Sequence, residues 1–183
     1  WVQHNGGIYY LPKATDLAIS TQAQTGNWYK INLSHPKKDI TANVFKLWID
    51  HGTKPDTASY QYIVLPTAKN IKSFDPKTIN IISNSAKNQA VFHQQLKIFQ
   101  AVFYSPSTIK SEIYEVTSDK ACVLMIKEGK GSEKKLYVAD PLQEESTIQI
   151  DIKNTKTGKT ASVNVQLPDG PYKGSSKEVK VVI

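Results

Sequence analysis

The strongest constraint on the fold of this chain is a strict alternation of apolar and polar residues near its C-terminal end. Three isoleucines alternate with polar residues over 148–152, and apolar residues alternate in the same way over 163–167. A period of two places successive side chains on opposite faces of a strand, so both segments are predicted as half-buried strands. The intervening loop, 154–158, ends in a glycine suited to a left-handed hairpin position, which predicts an antiparallel pair.

Strand-like segments recur along the rest of the chain, with turn residues between them. The predicted strands lie at residues 7–11, 28–33, 44–49, 60–65, 79–83, 89–93, 98–104, 113–117, 122–127, 136–139, 148–152, 163–167 and 179–183. A turn is predicted at 24–27, and the candidates for short helices are 17–24 and 85–90. Many short strands at this spacing predict an all-β chain built from antiparallel sandwich layers.

The formal positive charge of the side chains comes from lysine alone. The formal net charge is +7, and arginine does not occur among the 183 residues. A positive balance suits a polyanionic partner, but paired hydrogen bonds to carboxylate or phosphate favour arginine. Because the lysines are scattered along the chain, a solvated surface is favoured over a specific anion site, and no nucleic-acid partner is predicted. No apolar run approaches the ~20 residues of a membrane helix, so no membrane partner is predicted either.

Residues with reactive side chains show no catalytic or metal-binding spacing. The single cysteine, Cys122, lies in an apolar segment and is predicted to be a buried, inert thiol. No two histidines have a metal-ligand spacing, and alternating acidic residues typical of a calcium loop are missing, so no metal site is predicted. The four histidines are His4, His35, His51 and His93.

Acidic and glycine-rich segments are interpreted as turns. Glu144 and Glu145 are predicted to lie in a solvated turn, and Asp140 begins a turn after a strand. Residues 129–132 are predicted to form the turn of a hairpin, because they lack the spacing of a phosphate-binding loop.

The segment 44–66 contains the most distinctive residues of the chain. Its first apolar run ends in Asp50, His51 and Gly52, and its second run begins at Tyr60. Neighbouring strand residues point to opposite faces, so Asp50 and His51 form a poor catalytic pair. The interpretation favoured here is a structural turn at the corner of a hairpin, with His51 preceding Gly52.

Aromatic residues concentrate in the first third of the chain. Their alternation with apolar neighbours predicts that they fill the core between sheets, and the alternative is a platform that stacks on sugar rings. These residues are Trp1, Tyr9, Tyr10, Trp28, Tyr29, Trp48, Tyr60 and Tyr62.

Several of these segments, taken in order, resemble the family 8 polysaccharide lyases, which include the chondroitin AC, hyaluronate and xanthan lyases. Within this family, the segments particularly resemble those of the chondroitin AC lyases. The matching segments are residues 1–12, 25–32, 45–52 and 60–66, which are similar to the central β domain of the family, and 88–91 and 138–141, which are similar to its C-terminal domain.

This resemblance implies two domains. Residues 1–75 would end the central multi-sheet supersandwich, and residues 76–183 would form the small C-terminal β-sandwich, with the polar segment 67–78 at the boundary. The chain starts at Trp1 without a signal peptide, and its one methionine is Met125, so it is expected to be the downstream part of a longer polypeptide. A helical domain of that polypeptide would be its partner, and an acidic polysaccharide would be the substrate.

The family's reaction is β-elimination beside a uronic acid, which requires neutralisation of the carboxylate, a base and a proton donor. The family supplies these from asparagine, histidine, tyrosine and arginine, mostly on its helical domain, and no residue of this chain matches those positions. No catalytic residue is therefore assigned here, and carbohydrate-binding residues stay unassigned. No cofactor is expected in this chain, calcium would belong to the remainder of the protein, and the resemblance implies a secreted or periplasmic bacterial location.

Three functions therefore compete. The first is the non-catalytic β portion of a glycosaminoglycan lyase, which supports the helical domain and walls the substrate cleft. The second is a stand-alone carbohydrate-binding β-sandwich, and the third is a basic module that binds polyanions through lysine.

Overall fold

The protein is described by a computed structural model whose contacts form two compact units, Trp1–Phe74 and Asp75–Ile183. The residues described are 1–13, 16–66, 70–129 and 131–183. Strands dominate both units and pair antiparallel throughout, which confirms the all-β prediction. Among these residues no helix is both long and apolar enough to cross a membrane.

The first unit consists of short strands in three small sheets. Its strands are β1 (Val2–His4), β2 (Gly7–Tyr10), β3 (Leu17–Ser20), β4 (Ala23–Asn27), β5 (Asp39–Asn43), β6 (Lys46–Ile49) and β7 (Ile63–Leu65). Strands β1, β2 and β7 form one sheet, β3 pairs with β6, and β4 pairs with β5. A 3-10 turn (Trp28–Lys30) follows β4. A second 3-10 turn (Ile71–Ser73) lies near the end of the unit.

The hairpin predicted for residues 44–66 is wrong. Strand β6 pairs with β3, whereas β7 pairs with β2, so the two apolar runs belong to different sheets. A polar connection of this length does not fix which neighbour a strand will take, because pairing depends on distant segments.

The predicted turn at 24–27 and strand at 28–33 are also wrong. Residues 23–27 form β4, and the chain then enters the 3-10 turn. The Asn27 side chain accepts a hydrogen bond of 2.9 Å from the Tyr29 backbone N–H, which ends the strand and caps the turn. A local side-chain cap therefore overrides the β propensity of the aromatic residues that follow.

Both helix candidates are wrong as well. Residues 17–20 form β3, which is held by its pairing with β6. Near 85–90, the Ser85 hydroxyl accepts the Asn88 backbone N–H at 3.1 Å and closes a tight turn between two strands. Tertiary pairing and turn chemistry decide these segments rather than their weak helical patterns.

The second unit is a two-sheet sandwich. Its strands are β8 (Ile79–Asn84), β9 (Asn88–His93), β10 (Ile98–Phe103), β11 (Ser107–Lys110), β12 (Tyr114–Ser118), β13 (Cys122–Glu128), β14 (Glu133–Ala139), β15 (Thr147–Asn154), β16 (Thr160–Gln166) and β17 (Lys177–Val182). The six-stranded sheet has the order β17-β14-β13-β10-β9-β8, and the four-stranded sheet has the order β11-β12-β15-β16. Two more 3-10 turns precede β8 and β17, at Pro76–Thr78 and Gly170–Tyr172.

The alternating segments near the C-terminus form the predicted hairpin. Strand β15 pairs with β16, Ile148 opposes Val165, and Gly158 has a φ of +73°. The isoleucines of β15 are fully buried, and the residues between them face outward. Alternation along a strand thus marks its buried face correctly.

The core of the second unit lies between its two sheets. Phe99 on β10 and Tyr114 on β12 are buried and meet edge to face, with ring centroids 5.9 Å apart. Apolar side chains from both sheets join them in one continuous cluster. Burial of this cluster supplies the main driving force for folding of the unit.

The first unit has very little core by comparison. Of its described hydrophobic side chains, Ile8 alone is fully buried. Strand β5 is exposed at every position, and β4 is exposed at all but one.

Candidate functional site

A cleft lined mainly by aromatic and aliphatic side chains lies in the first unit. It has a volume of about 540 Å³ and draws its lining from β2, β6 and the segment before β7. The lining residues are Tyr9, Leu11, Phe45, Leu47, Trp48, Ile49, His51, Tyr60 and Tyr62. We call this feature the aromatic cleft.

Three rings form a row at one side of the aromatic cleft. Tyr60 and Tyr62 are nearly parallel, with centroids 6.2 Å apart and an interplanar angle of 16°, and His51 lies 6.2 Å from Tyr60. Both tyrosines are more than half exposed. Residues two apart in an extended segment point to the same side, which places the two tyrosine rings together.

The turn predicted at residues 50–52 is present. The Asp50 carboxylate accepts the Gly52 backbone N–H at 2.8 Å, and Gly52 has a φ of +72°. The Asp50 backbone N–H also donates to the Asp16 carbonyl at 2.7 Å. The Asp50 carboxylate therefore stabilises the turn. The next residue, His51, lines the aromatic cleft.

The prediction that the aromatic residues fill a core is wrong for most of them. Trp1 is 60% exposed, Trp28 is 55% exposed and Trp48 is 47% exposed. Tyr9 and Tyr10 are half-buried. The three sheets of the first unit are too small to cover these side chains, so alternation alone could not distinguish a covered face from an open one.

The lining of the aromatic cleft suits contact with apolar surfaces better than proton transfer. Its described lining holds one histidine and three tyrosines but no carboxylate or lysine. General acid–base chemistry needs a polarised donor and acceptor within hydrogen-bond reach of the reacting atoms.

Each of the four histidines makes its own local contact. The His4 ring stacks on Phe45 at 4.0 Å, and the His35 ring lies 6.2 Å from Trp28. In the second unit, His93 accepts the Leu96 backbone N–H at 3.2 Å. The described residues contain no group of three or more histidine, cysteine or acidic side chains arranged to hold a metal ion.

Cys122 lies inside the core of the second unit. Its side chain is 2% exposed, and its Sγ lies 3.3 Å from the Ser118 hydroxyl. Burial raises the pKa of the thiol to about 11, although the Ser118 hydrogen bond opposes this change. A thiol with a raised pKa and no exposure is a poor nucleophile.

Asp140 has a role that the sequence did not reveal. Sequence reasoning identified a turn here, and the structure adds that the carboxylate is buried and accepts three backbone N–H groups. The donors are Leu142 at 2.9 Å, Glu144 at 2.7 Å and Glu145 at 2.8 Å. Burial acts to raise the pKa of this carboxyl, but the backbone hydrogen bonds outweigh burial and lower it.

The hairpin predicted at residues 129–132 is present between β13 and β14, although Lys130 lies outside the described residues. Beside this hairpin, the buried Lys134 ammonium pairs with the Glu128 carboxylate at 2.6 Å. A lysine in a strand gives no sequence signal of burial, so this pair was missed.

Sequence profiles of two consecutive domains match the chain. Residues 1–76 match the polysaccharide lyase family 8 super-sandwich domain, and residues 80–149 match the polysaccharide lyase family 8 C-terminal beta-sandwich domain. The two matches follow each other in the order that the sequence resemblance implied.

Individual relatives carry lyase names. The chain is 40% identical to chondroitinase-AC of Pedobacter heparinus over 98% of its own length, and it covers 26% of that protein. It is 32% identical to xanthan lyase of Bacillus sp. (strain GL1), of which it covers 17%. It is 28% identical to hyaluronate lyase of Thermasporomyces composti, of which it covers 19%. The chain therefore spans about a quarter or less of these relatives.

Solved structures show the same architecture. A chondroitinase AC lyase studied in oligosaccharide complexes superposes with a TM-score of 0.83 at 40% identity, with 96% of this chain and 26% of that one covered. A chondroitin AC lyase of Streptomyces coelicolor A3 in complex with chondroitin sulphate gives a TM-score of 0.71 at 22% identity. The superposed region covers 92% of this chain and 24% of the Streptomyces chain, and at this identity the likeness concerns the fold.

Proposed function

Because the chain belongs to polysaccharide lyase family 8, we propose that it is the non-catalytic β portion of a longer glycosaminoglycan lyase. The longer enzyme cleaves polysaccharides that contain uronic acid by β-elimination. This chain supports the catalytic part and walls the substrate cleft. In this proposal residues 1–75 complete the super-sandwich domain, and residues 76–183 form the C-terminal β-sandwich.

The observation that carries the proposal is the extent of the match to chondroitinase-AC. Nearly all of this chain is matched, at 98%, while only 26% of the relative is covered. A short chain that aligns end to end with part of a long enzyme is expected to contribute part of that enzyme's function.

The chemistry of the described residues supports a non-catalytic role. Elimination beside a uronate requires a cation or hydrogen-bond donors for the carboxylate, together with a base and a proton donor in contact with the sugar. The chain contains no arginine, and the described lining of the aromatic cleft lacks lysine. Asp140 is buried and its carboxylate accepts three backbone N–H groups, so it is poorly placed to act as a base.

The thin core of the first unit supports a role inside a larger domain. Ile8 is its one fully buried hydrophobic side chain among the described residues, and the aromatic cleft is an unfilled space of about 540 Å³. A domain of this size ordinarily buries more than half of its chain surface. Further layers of the super-sandwich would fill the aromatic cleft and cover its rings.

The remaining expectations follow from the same proposal. A helical domain of the same polypeptide would carry the catalytic residues, and any calcium would bind there. The enzyme would act outside the bacterial cytoplasm, in the periplasm or the medium, because its polysaccharide substrates are extracellular polymers.

The direct test is a digestion assay. Chondroitin and hyaluronan are incubated with the 183-residue chain, and the ultraviolet absorbance of unsaturated uronate is followed, with an intact family member as the positive control. We expect no signal from this chain alone. Absorbance that grows in proportion to the amount of this chain would overturn its non-catalytic assignment.

A further inference from the structure

The loop between β4 and β5 presents a second surface, separate from the aromatic cleft lining. We define residues 27–39 as the hairpin tip. We propose that the hairpin tip binds an acidic polysaccharide chain, with Trp28 stacking on a sugar ring and Lys37 and Lys38 pairing with its carboxylate or sulfate groups. This inference rests on the proposed function, because it names a contact for the same class of polymer.

The hairpin tip is held in shape by its own hydrogen bonds. Asn27 Nδ2 donates to Asp39 Oδ1 at 2.9 Å and closes the base of the loop. The Trp28 carbonyl accepts the backbone N–H groups of Ile31 at 3.0 Å and Asn32 at 2.9 Å. A loop that is already ordered loses little conformational entropy when a ligand binds.

Further contacts order the outer part of the loop. Asn32 Oδ1 accepts both the backbone N–H and the hydroxyl of Ser34, at 3.0 and 2.8 Å. The Asn32 carbonyl accepts the His35 backbone N–H at 3.1 Å, and the Lys38 backbone N–H donates to the Pro36 carbonyl at 2.8 Å. The backbone positions of the charged residues are therefore defined.

Apolar side chains of the hairpin tip face solvent. Trp28 is 55% exposed, Ile31 is 78% exposed and Leu33 is 75% exposed. Exposed apolar groups gathered on one short loop mark an interaction surface more often than isolated ones do. Trp28 has an open ring that can meet the apolar C–H face of a pyranose.

The charge of the hairpin tip selects an anionic partner. It contains three lysines, Lys30, Lys37 and Lys38, and a single acidic residue, Asp39, which is engaged by Asn27. The Lys37 ammonium lies 4.6 Å from the centroid of the Tyr29 ring, so its position is fixed by a cation–π contact. The His35 ring beside Trp28 adds a hydrogen-bonding group.

A glycan with acidic groups fits these features better than other polyanions. An aromatic ring and cations on the same loop match a polymer in which apolar sugar faces and carboxylates recur along the chain. Lysine contributes a point charge rather than the paired hydrogen bonds of arginine, so it tolerates variation in the position of the anionic group. Nucleic acid shares the negative charge, so single-stranded DNA is the comparison ligand.

The experiment uses the 183-residue chain with Trp1→Phe and Trp48→Phe, which leaves Trp28 as the single tryptophan. This chain is titrated with size-defined chondroitin sulfate oligosaccharides, with neutral dextran and with single-stranded DNA while tryptophan fluorescence is recorded. We expect a saturable change with chondroitin sulfate, none with dextran, and a weaker response to DNA that vanishes at moderate salt. A DNA response equal to that of chondroitin sulfate at every salt concentration would overturn the glycan assignment.

Affinities of variants are then compared by calorimetry. Trp28→Ala is expected to weaken chondroitin sulfate binding by about tenfold, and Trp28→Phe by less, because a smaller ring still stacks. Lys37→Ala with Lys38→Ala is expected to weaken binding and to reduce its salt dependence. The matched control, Lys153→Ala with Lys156→Ala, removes the same charge from the exposed end of the β15–β16 hairpin and should bind like the wild type.

Two results would overturn the proposal: no saturable binding, or equal affinity of the Trp28 variants and the wild type. Far-ultraviolet circular dichroism checks that each variant is folded, and Trp28→Phe provides the comparison if the alanine variant unfolds. A failure of binding would leave the supporting role in the lyase intact, because that role is tested by the digestion assay.

Discussion

The ammonium of Lys134 lies 2.6 Å from the carboxylate of Glu128, and the lysine side chain is buried while the carboxylate is 44% exposed. The two residues are directly opposite on β14 and β13. The Glu128 charge also adds to burial in raising the pKa of Tyr114 on β12. One carboxylate therefore pairs with a lysine on the neighbouring strand and also affects a buried tyrosine of the other sheet.

Removal of this carboxylate is expected to destabilise the second unit. Glu128→Ala leaves a buried ammonium unpaired and should lower the free energy of unfolding by about 1–2 kcal/mol, less than for a fully buried pair because Glu128 is partly solvated. Lys134→Met should stay within about 1 kcal/mol of the wild type, since an apolar side chain needs no partner. Urea unfolding followed by circular dichroism measures both changes.

The control for this comparison is Glu115→Ala. Glu115 pairs with Lys110 at 3.4 Å, and the Lys110 side chain is 73% exposed. Removal of this exposed pair by Glu115→Ala should change the free energy of unfolding by less than about 0.5 kcal/mol. Equal effects of Glu128→Ala and Glu115→Ala would contradict the importance of the buried pair.

Tyr114 is expected to make the second unit sensitive to alkali. Burial, reinforced by the nearby Glu128 charge, raises the pKa of Tyr114 from 10.0 to about 12. The folded state then keeps a proton that the unfolded state releases, so this contribution to stability is complete below pH 10.0 and is lost as the pH rises towards about 12. Tyr114→Phe should flatten this alkaline loss, and thermal unfolding between these pH values would measure it. An unchanged alkaline profile in Tyr114→Phe would contradict the assignment.

Asp140 is expected to make the same unit sensitive to acid. Its pKa is lowered below 3.8, so its contribution is complete above that pH and is lost as the pH falls through the folded-state value. Asp140→Asn places an amide N–H₂ against backbone donors and should cost about 1–3 kcal/mol at neutral pH. Chemical unfolding at neutral and acidic pH measures this effect.

Asp169→Asn serves as the comparison for Asp140. Asp169 is exposed and makes no capping hydrogen bond from its side chain. The variant should have nearly the same stability as the wild type at neutral pH. If Asp140→Asn also unfolded at the wild-type urea concentration, the carboxylate would not be holding the turn.

Cys122 is expected to be chemically silent in the folded protein. Its thiol is buried and its pKa is raised to about 11, so little thiolate is present near neutral pH. Ellman's reagent should react with no thiol in the native chain and with one equivalent after urea is added. Rapid reaction under native conditions would show that the thiol is accessible.

The two units are expected to differ in their ability to fold alone. A fragment of residues 75–183 contains the whole continuous core cluster and should unfold cooperatively in urea. A fragment of residues 1–74 buries one hydrophobic side chain fully among its described residues and should lack a cooperative transition. The reverse result, with a cooperative first unit, would contradict the argument that its core is incomplete.

The sequence predicted the second unit much better than the first. Strands such as β15 and β16 alternate between apolar and polar residues because each has one face against a continuous core, and that core determines the pattern. The first unit lacks such a core, so capping at Asn27 and pairing of β3 with β6 decided its structure. These are interactions that local propensity does not describe.

The candidate site could be predicted in residue type but not in arrangement. The aromatic enrichment and the turn at Asp50 were evident from the sequence, and the turn is present. The exposure of Trp48 and the parallel approach of Tyr60 and Tyr62 were not evident. Whether an aromatic ring is covered depends on how many neighbouring layers a sheet has, which no single segment encodes.

By itself, the sequence determined the all-β class, the alternating strands of the second unit and the family to which the chain belongs, because these depend on local periodicity and on ordered motifs. Only the tertiary structure decided which strands pair, which aromatic rings remain open, and which charges are buried at Lys134 and Asp140. These outcomes depend on contacts between residues far apart in the chain. Their energies come from desolvation and packing that exist only once the sheets are assembled.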